Sequence, residues 1–370
     1  MKKILLIFLA TGLIFLATGL IFSSCEKKED NDPKIEWTHS EKLSEKDILN
    51  EGEAFKACAI DGNEMLLISL DKFMRVDENE NILEERTIPT ESFNGTYKCG
   101  FLTKDFYMLA NYLKLPTEYK VDSLQFDFYS TTIGNKTVNS IHTKDFPNSE
   151  TIGYQVGSYD VGYRYESIAI NSNNQLGIVL TSYLRNDPND RSGVHHLVII
   201  DLEITESSIT PSFNKLITLD DFPWNRHYYS LKAIGENFFL TTNDYGTYVI
   251  KPSGDTFIYD NNKAIFEYSD TIFQFASNAV NYSTNGQTWT NYKSVTEDFV
   301  YEIKVLNDNA IDYSYGSISA YSLTDFTYKN LINDGLPSGD YYFIEEFNGK
   351  IYLGAWDGGI YTINKGDLLD

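Results

Sequence analysis

Five histidines, 53 acidic residues and three cysteines are the groups through which this 370-residue chain could do chemistry. His195 and His196 are adjacent. Successive residues of a strand point to opposite faces, so the pair is poorly placed to chelate one ion. Histidines satisfied in the core or at the surface are the plainer reading for them and for His39, His142 and His227. Asn186-Asp187-Pro188-Asn189-Asp190 is dense in the hard oxygen ligands that Ca2+ prefers, yet it lacks the Asp-x-Asp-x-Asp-Gly order of a built loop, so no metal or other cofactor is expected. Asp220-Asp221, Glu345-Glu346 and Glu84-Glu85 are paired carboxylates. A glycosidase needs two carboxyls about 5–10 Å apart across a sugar, which adjacency in sequence does not supply. Cys58 and Cys99 fall in the first strands of successive units and read as buried thiols, with a disulfide as the alternative. No Gly-x-Ser-x-Gly, His-Glu-x-x-His, Cys-x-x-Cys or phosphate-cradling glycine loop is present. What remains is recognition chemistry. Trp224, Tyr228 and Tyr229, and further on Tyr341 and Tyr342, set aromatic rings beside polar groups, a combination that stacks on sugars or anchors a protein partner. Packing inside a β core is the other use of such rings.

The elements that would carry these residues are strands. Aromatics make up 15% of the chain, with 27 Tyr and 23 Phe, a composition suited to pleated, half-buried surfaces. Turn signals recur every few residues, so an all-β class is expected. Gly335–Asn364 shows the plan most clearly: strand Tyr341–Phe347, turn Asn348-Gly349, strand Ile351–Trp356, turn Asp357-Gly358-Gly359, strand Ile360–Asn364. Asn-Gly and Asp-Gly supply the positive φ that tight hairpins need. Six comparable units precede it, at about Leu43–Glu91, Phe93–Pro147, Asn148–Leu216, Ile217–Asn262, Lys263–Thr296 and Glu297–Leu336. About seven units of three to four antiparallel strands predict a β-propeller over residues 43–370. The last unit shows only three strands, and a ring cannot leave that edge open. A segment within Ile35–Asn50 is therefore expected to pair there as the fourth. The formal net charge of -23 argues against nucleic acid, whose affinity is cationic in origin.

The front of the chain has its own pattern. Met1-Lys2-Lys3 precedes the apolar run Ile4–Phe22, inside which Ile7–Leu13 is repeated as Ile14–Leu20. The run is long enough to span a bilayer as an uncleaved anchor, or to serve as the apolar part of a signal peptide. Phe22-Ser23-Ser24-Cys25 resembles a bacterial lipobox, with Phe22 where that family usually has Leu. The resemblance implies a lipoprotein signal peptide over residues 1–24, a lipidated Cys25 as mature N-terminus, and a membrane held through that anchor. Residues 25–42 are polar and read as a flexible tether. Within it Lys28-Glu29-Asp30 resembles the export signal of Bacteroidetes surface lipoproteins. That implies an outer-membrane, cell-surface address, with a periplasmic face as the alternative.

Two more resemblances concern the ring. Gly335-Leu336-Pro337-Ser338, Asn348-Gly349 and Leu353-Gly354-Ala355-Trp356-Asp357-Gly358-Gly359-Ile360 resemble the two-component regulator propeller repeat, except that Trp356 follows the Leu-Gly pair instead of preceding it. Ser283-Thr284-Asn285-Gly286-Gln287-Thr288-Trp289 resembles an Asp-box of sialidase-like propellers, one residue short and with Asn285 for Asp. In that family the box is a structural turn, with Trp packed beneath. Sialidase activity needs an arginine cluster, which the scattered Arg75, Arg86, Arg164, Arg185, Arg191 and Arg226 do not suggest. The expected role is a binding module for a glycan or for an envelope or host protein. The alternative is a glycoside hydrolase or lyase with carboxylates in the central funnel.

Overall fold

The computed structural model describes residues 34–44, 54–69, 72–88, 99–114, 121–135, 137–156, 168–184, 194–219, 228–242, 247–259, 262–276, 279–286, 288–294, 303–313 and 318–369. They form a seven-bladed β-propeller. Blade 1 runs through Ala57–Asp61, Glu64–Ile68, Lys72–Asp77 and Ile82–Thr87, each strand antiparallel to the next. Blade 2 is Cys99–Leu102, Phe106–Lys114, Val121–Ser130 and Val138–His142. In blade 3 the inner position is split. Ile152–Val156 pairs with one half of Gln175–Leu184 and Ile168–Ile170 with the other, before Val194–Ile204 and Ile209–Thr218. Blades 4, 5 and 6 open with Tyr228–Ile234, Asn262–Tyr268 and Ile303–Leu306, and each has four strands. Blade 7 takes Tyr341–Phe347, Lys350–Ala355 and Ile360–Asn364 from the end of the chain.

Period-two alternation explains how blades stack. In blade 3, Leu176, Ile178, Leu180, Val198 and Ile200 face one way and join the core shared with blade 2. The intervening Val179, Leu197 and Ile199 face the other way and pack on Phe238, Leu240 and Tyr248 of blade 4. Central strands are thus apolar on both faces, while an outer strand such as Thr290–Ser294 is exposed throughout. Gly177 is required by this stacking. A Cβ there would lie 2.6 Å from the Phe238 ring of the next blade.

The fourth strand of blade 7 comes from the other end of the chain. Thr38–His39 pairs antiparallel with the last strand, Thr38 opposite Thr362 and His39 opposite Tyr361. This lies within the range expected for the closing strand. Lys34–Glu36 adds a parallel pair with Ile332–Asp334, and Ile35, Trp37 and Leu43 are buried. The sequence-based tether over 25–42 is therefore too long, because from residue 34 onward the chain belongs to the ring. Hydrogen bonding favours this, since Trp37 N donates to Asp334 O at 2.9 Å and Ser40 N to Ile360 O at 2.8 Å, both on strand edges otherwise open. Cys25, Lys28, Glu29 and Asp30 lie outside the described residues. Among the described residues no helix is long and apolar enough to cross a membrane.

Candidate functional site

Each blade begins with a strand beside the ring axis. These first strands touch in succession from blade 3 through blade 7 and on to blades 1 and 2. The sequence fixes their register by a repeated device, in which the first hairpin turns through a left-handed residue. Gly62, Gly235, Ser269, Asn307 and Asn348 all have φ between 48° and 61°. Three residues earlier stand Ala59, Lys232, Phe266, Lys304 and Glu345, which are therefore equivalent positions of blades 1, 4, 5, 6 and 7.

Three of these five are charged and they interact. Lys304 Nζ is hydrogen-bonded to Glu345 Oε1, joining blades 6 and 7. Lys232 Nζ donates to the carbonyl of Ile303 at 3.2 Å, reaching from blade 4 to blade 6. Side-chain exposure is 39% for Lys304 and 18% for Glu345, so water still reaches the pair. Burial raises the Glu345 carboxyl above its ordinary range, against the pull of Lys304 and Lys232. Nearer the mouth, Lys56 Nζ lies 3.3 Å from the centroid of the Tyr342 ring, a cation–π contact between blades 1 and 7. Cys58 is a free, buried thiol whose pKa is pushed well up by burial and by the Glu345 charge. A thiol held neutral is a poor nucleophile.

The second feature lies at the end of the ring where blade-to-blade connections meet the links between second and third strands. In blade 7 these are Gly335–Asp340 and Trp356–Gly359. Trp356 leaves the strand, is 44% exposed, and is fixed at three points. Its backbone N donates to Asp340 O at 3.0 Å, and its indole Nε1 donates to Ser338 O at 2.7 Å. Gly339 lies against the ring with φ +145°, where an added Cβ would be 2.0 Å from Nε1. Beneath, Asp357 Oδ1 accepts from Gly359 N at 2.9 Å and its Oδ2 from the Tyr361 hydroxyl at 2.9 Å, and Gly358 takes φ +81°.

The residues singled out from sequence are distributed as follows. Tyr342 is half-buried and packs against the core between blades 7 and 1, with Lys56 over its ring. Tyr341 is buried, not a surface for stacking, and its hydroxyl donates to Pro337 O at 3.0 Å. Burial and the nearby Asp357 charge push its pKa up to about 12. Tyr228 and Tyr229 open the first strand of blade 4, while Trp224 and Asn186–Asp190 lie outside the described residues. Asn348 and Gly349, with φ 49° and 74°, turn the first hairpin of blade 7 at the opposite end. The Ser283–Trp289 turn is also at that end. Ser283 Oγ accepts from Gly286 N at 2.9 Å, Asn285 Oδ1 accepts from Thr288 N at 3.0 Å, and Trp289 packs on Phe239 and Ile272. Its contacts are those of a structural turn seating blade 5 on blade 4.

Of the acidic pairs, Asp220-Asp221 lies outside the described residues and Glu345-Glu346 comes apart. Glu345 turns to Lys304, whereas Glu346 Oε1 accepts from Lys365 Nζ at 2.7 Å. The histidine pair is buried. His195 Nδ1 is 3.0 Å from Thr181 Oγ1, and His196 Nε2 is 2.8 Å from Ser182 Oγ. Burial lowers the His196 pKa to about 4, so that ring is neutral at physiological pH. Among the described residues, no group of three or more His, Cys, Asp or Glu could hold a metal ion. Sequence reasoning did not single out Lys56, Lys232 and Lys304. The signal that finds them is their offset from the left-handed turn residues, or from the first residue of a blade.

No family model and no curated protein matches the chain. Solved structures do. A catalytically inactive virginiamycin B lyase from Staphylococcus aureus with quinupristin superposes with a TM-score of 0.53 at 10% identity, over 90% of this chain and 99% of that one. The extracellular domain of a hybrid two-component system from B. thetaiotaomicron gives 0.48 at 10% identity, over 89% of this chain and 39% of that one. The WD40 domain of Neurospora crassa Pan2 gives 0.47 at 9% identity, over 89% and 94%. At 10% identity the likeness to the lyase is one of fold alone.

Proposed function

We propose that this propeller is a binding module of the cell envelope, lipid-anchored through Cys25, that takes a glycan or a protein at the ring end carrying Trp356. The observation behind this is the state of Trp356 itself. A large aromatic ring is exposed, yet hydrogen bonds from its backbone N and indole Nε1 and the contact with Gly339 already fix it. Such a ring offers contact area at little further entropic cost, which suits it to stack on a sugar or fill a partner's pocket. Trp356→Ala should weaken binding by about 30-fold, the effect of losing a hot spot worth about 2 kcal/mol. The address rests on the lipobox-like Phe22–Cys25 and on Lys28-Glu29-Asp30. Mass spectrometry of the membrane-extracted protein should find acyl chains on Cys25, and an intact leader would overturn the lipoprotein reading.

A carbohydrate-active enzyme is the second reading, and Glu345 favours it. Burial moves its carboxyl above the ordinary range, which is the direction a general acid needs. Hydrolysis by the usual route needs a second carboxyl about 5–10 Å away across the sugar. The groups acting most strongly on Glu345 are instead two cations, Lys304 and Lys232. That arrangement holds a charge better than it moves a proton, so binding is the better-supported function.

A further inference from the structure

We propose that the channel holds an anion site in which Lys232 and Lys304, set around Glu345, receive the oxyanion of an acidic sugar, a carboxylate or a sulfate. The inference rests on the binding reading and names the class of ligand.

Three observations converge. The first is positional. Lys232, Lys304 and Glu345 occupy one equivalent position on blades 4, 6 and 7, so the fold brings them to one level of the channel wall. Their contacts cross between blades, Lys232 to the Ile303 carbonyl and Lys304 to Glu345. The second is electrostatic. The chain carries a net charge of -23, yet this level gathers two ammonium groups on one carboxylate. An acidic exterior repels anions at long range, but salt screens that field beyond about 8–10 Å, and cations in a narrow low-dielectric wall act on what enters. The third is access. The Lys304 and Glu345 side chains keep 39% and 18% of their surface open, so an oxyanion can reach Lys304 without unfolding the wall. Ammonium groups bind carboxylate and sulfate as point charges and need no planar fork. Cys58, within electrostatic reach of Lys304 and Glu345, is neutral and does not oppose the anion.

The test is calorimetric titration of the full mature chain with glucuronate, with N-acetylglucosamine 6-sulfate, and with glucose as neutral control, at matched ionic strength. Saturable binding of either acidic sugar and none of glucose is expected, with glucuronate and sulfate arms separating the two oxyanions. Lys232→Met leaves the Lys304–Glu345 pair in place and should raise Kd at least tenfold with the same circular dichroism. If that variant fails to fold, the double variant Lys304→Met/Glu345→Met removes both partners of the pair together and should also lose binding. Neither acidic sugar binding, or binding unchanged in a folded variant, overturns the site. Trp356-dependent binding of a neutral glycan with no response to acidic sugars sinks the anion site alone. Absence of both, with no envelope protein bound either, sinks the binding function as well.

Discussion

A soluble chain beginning at residue 45 is expected not to hold the ring, whereas one beginning at residue 26 should fold. The segment 34–44 supplies the fourth strand of blade 7 and buries Ile35, Trp37 and Leu43, each at most 3% exposed. Burying a large apolar side chain contributes about 1.5–3 kcal/mol, so three approach the whole stability of a typical domain, about 5–15 kcal/mol. Deletion also opens the edge of Ile360–Asn364 to other chains. A milder version is Trp37→Ala, expected to cost about 3–5 kcal/mol, because the indole also donates to Asn333 Oδ1 at 2.9 Å. The closure has a pH dependence. Glu80, in the outer hairpin of blade 1, accepts from Ser40 Oγ at 3.0 Å, Lys350 Nζ at 3.2 Å and the Tyr352 hydroxyl at 3.1 Å. Burial disfavours its charge, but these hydrogen bonds outweigh burial and hold its pKa below the ordinary value. A depressed folded pKa stabilises the ring above the unfolded value of about 4.3, and the contribution is lost as pH falls through the folded pKa. Melting curves from pH 7 down to 3 should show a loss that Glu80→Gln reduces. An equal Tm for the two chain lengths would refute closure by this segment.

Arg75→Met should cost about 3–5 kcal/mol, the loss typical of a buried ion pair broken on one side. Arg75 is 4% exposed on the third strand of blade 1. Its guanidinium binds Glu64 and donates to the Thr131 carbonyl of blade 2, with Asp61 Oδ2 at 3.8 Å. Arg86 adds a second clasp, donating to Ser130 O at 2.8 Å and Thr132 O at 2.7 Å. Between them Phe73, Tyr107 and Tyr129 stack at 4.9 and 4.7 Å. Methionine keeps much of the volume and none of the charge, so the buried Thr131 carbonyl and the partly exposed Glu64 carboxylate lose a partner. The midpoint of urea unfolding should fall without a change in slope. A change under about 1 kcal/mol would mean that the pair behaves as a surface bridge.

Turn chemistry made most of the ring legible. Asn348-Gly349 and Gly235 mark hairpins because left-handed backbone is costly for most other residues, and blade 7 was visible down to its missing strand. Strands without an apolar stripe were harder to see. Val138–His142 has one buried residue in five, and Ile209–Thr218 has isolated buried positions, so neither outer strand carries a clear pattern in sequence. The site was less legible for a different reason. Lys232 and Lys304 look like ordinary solvated lysines until the blades are aligned on their turns, and Glu345 looks like half of an acidic pair. Tyr341 and Tyr342 are adjacent in sequence, but alternation sends Tyr341 to the core shared with blade 6 and Tyr342 to the core shared with blade 1.

The most direct measurement is equilibrium binding of immobilised wild-type protein and Trp356→Ala to one panel of neutral glycans, acidic glycans and envelope proteins. Binding of at least one member, weakened about 30-fold by the substitution while Tm is unchanged, is the predicted result. Binding that Trp356→Ala leaves intact, or no binding by the wild type to any member, would contradict the assignment of this end of the ring to recognition.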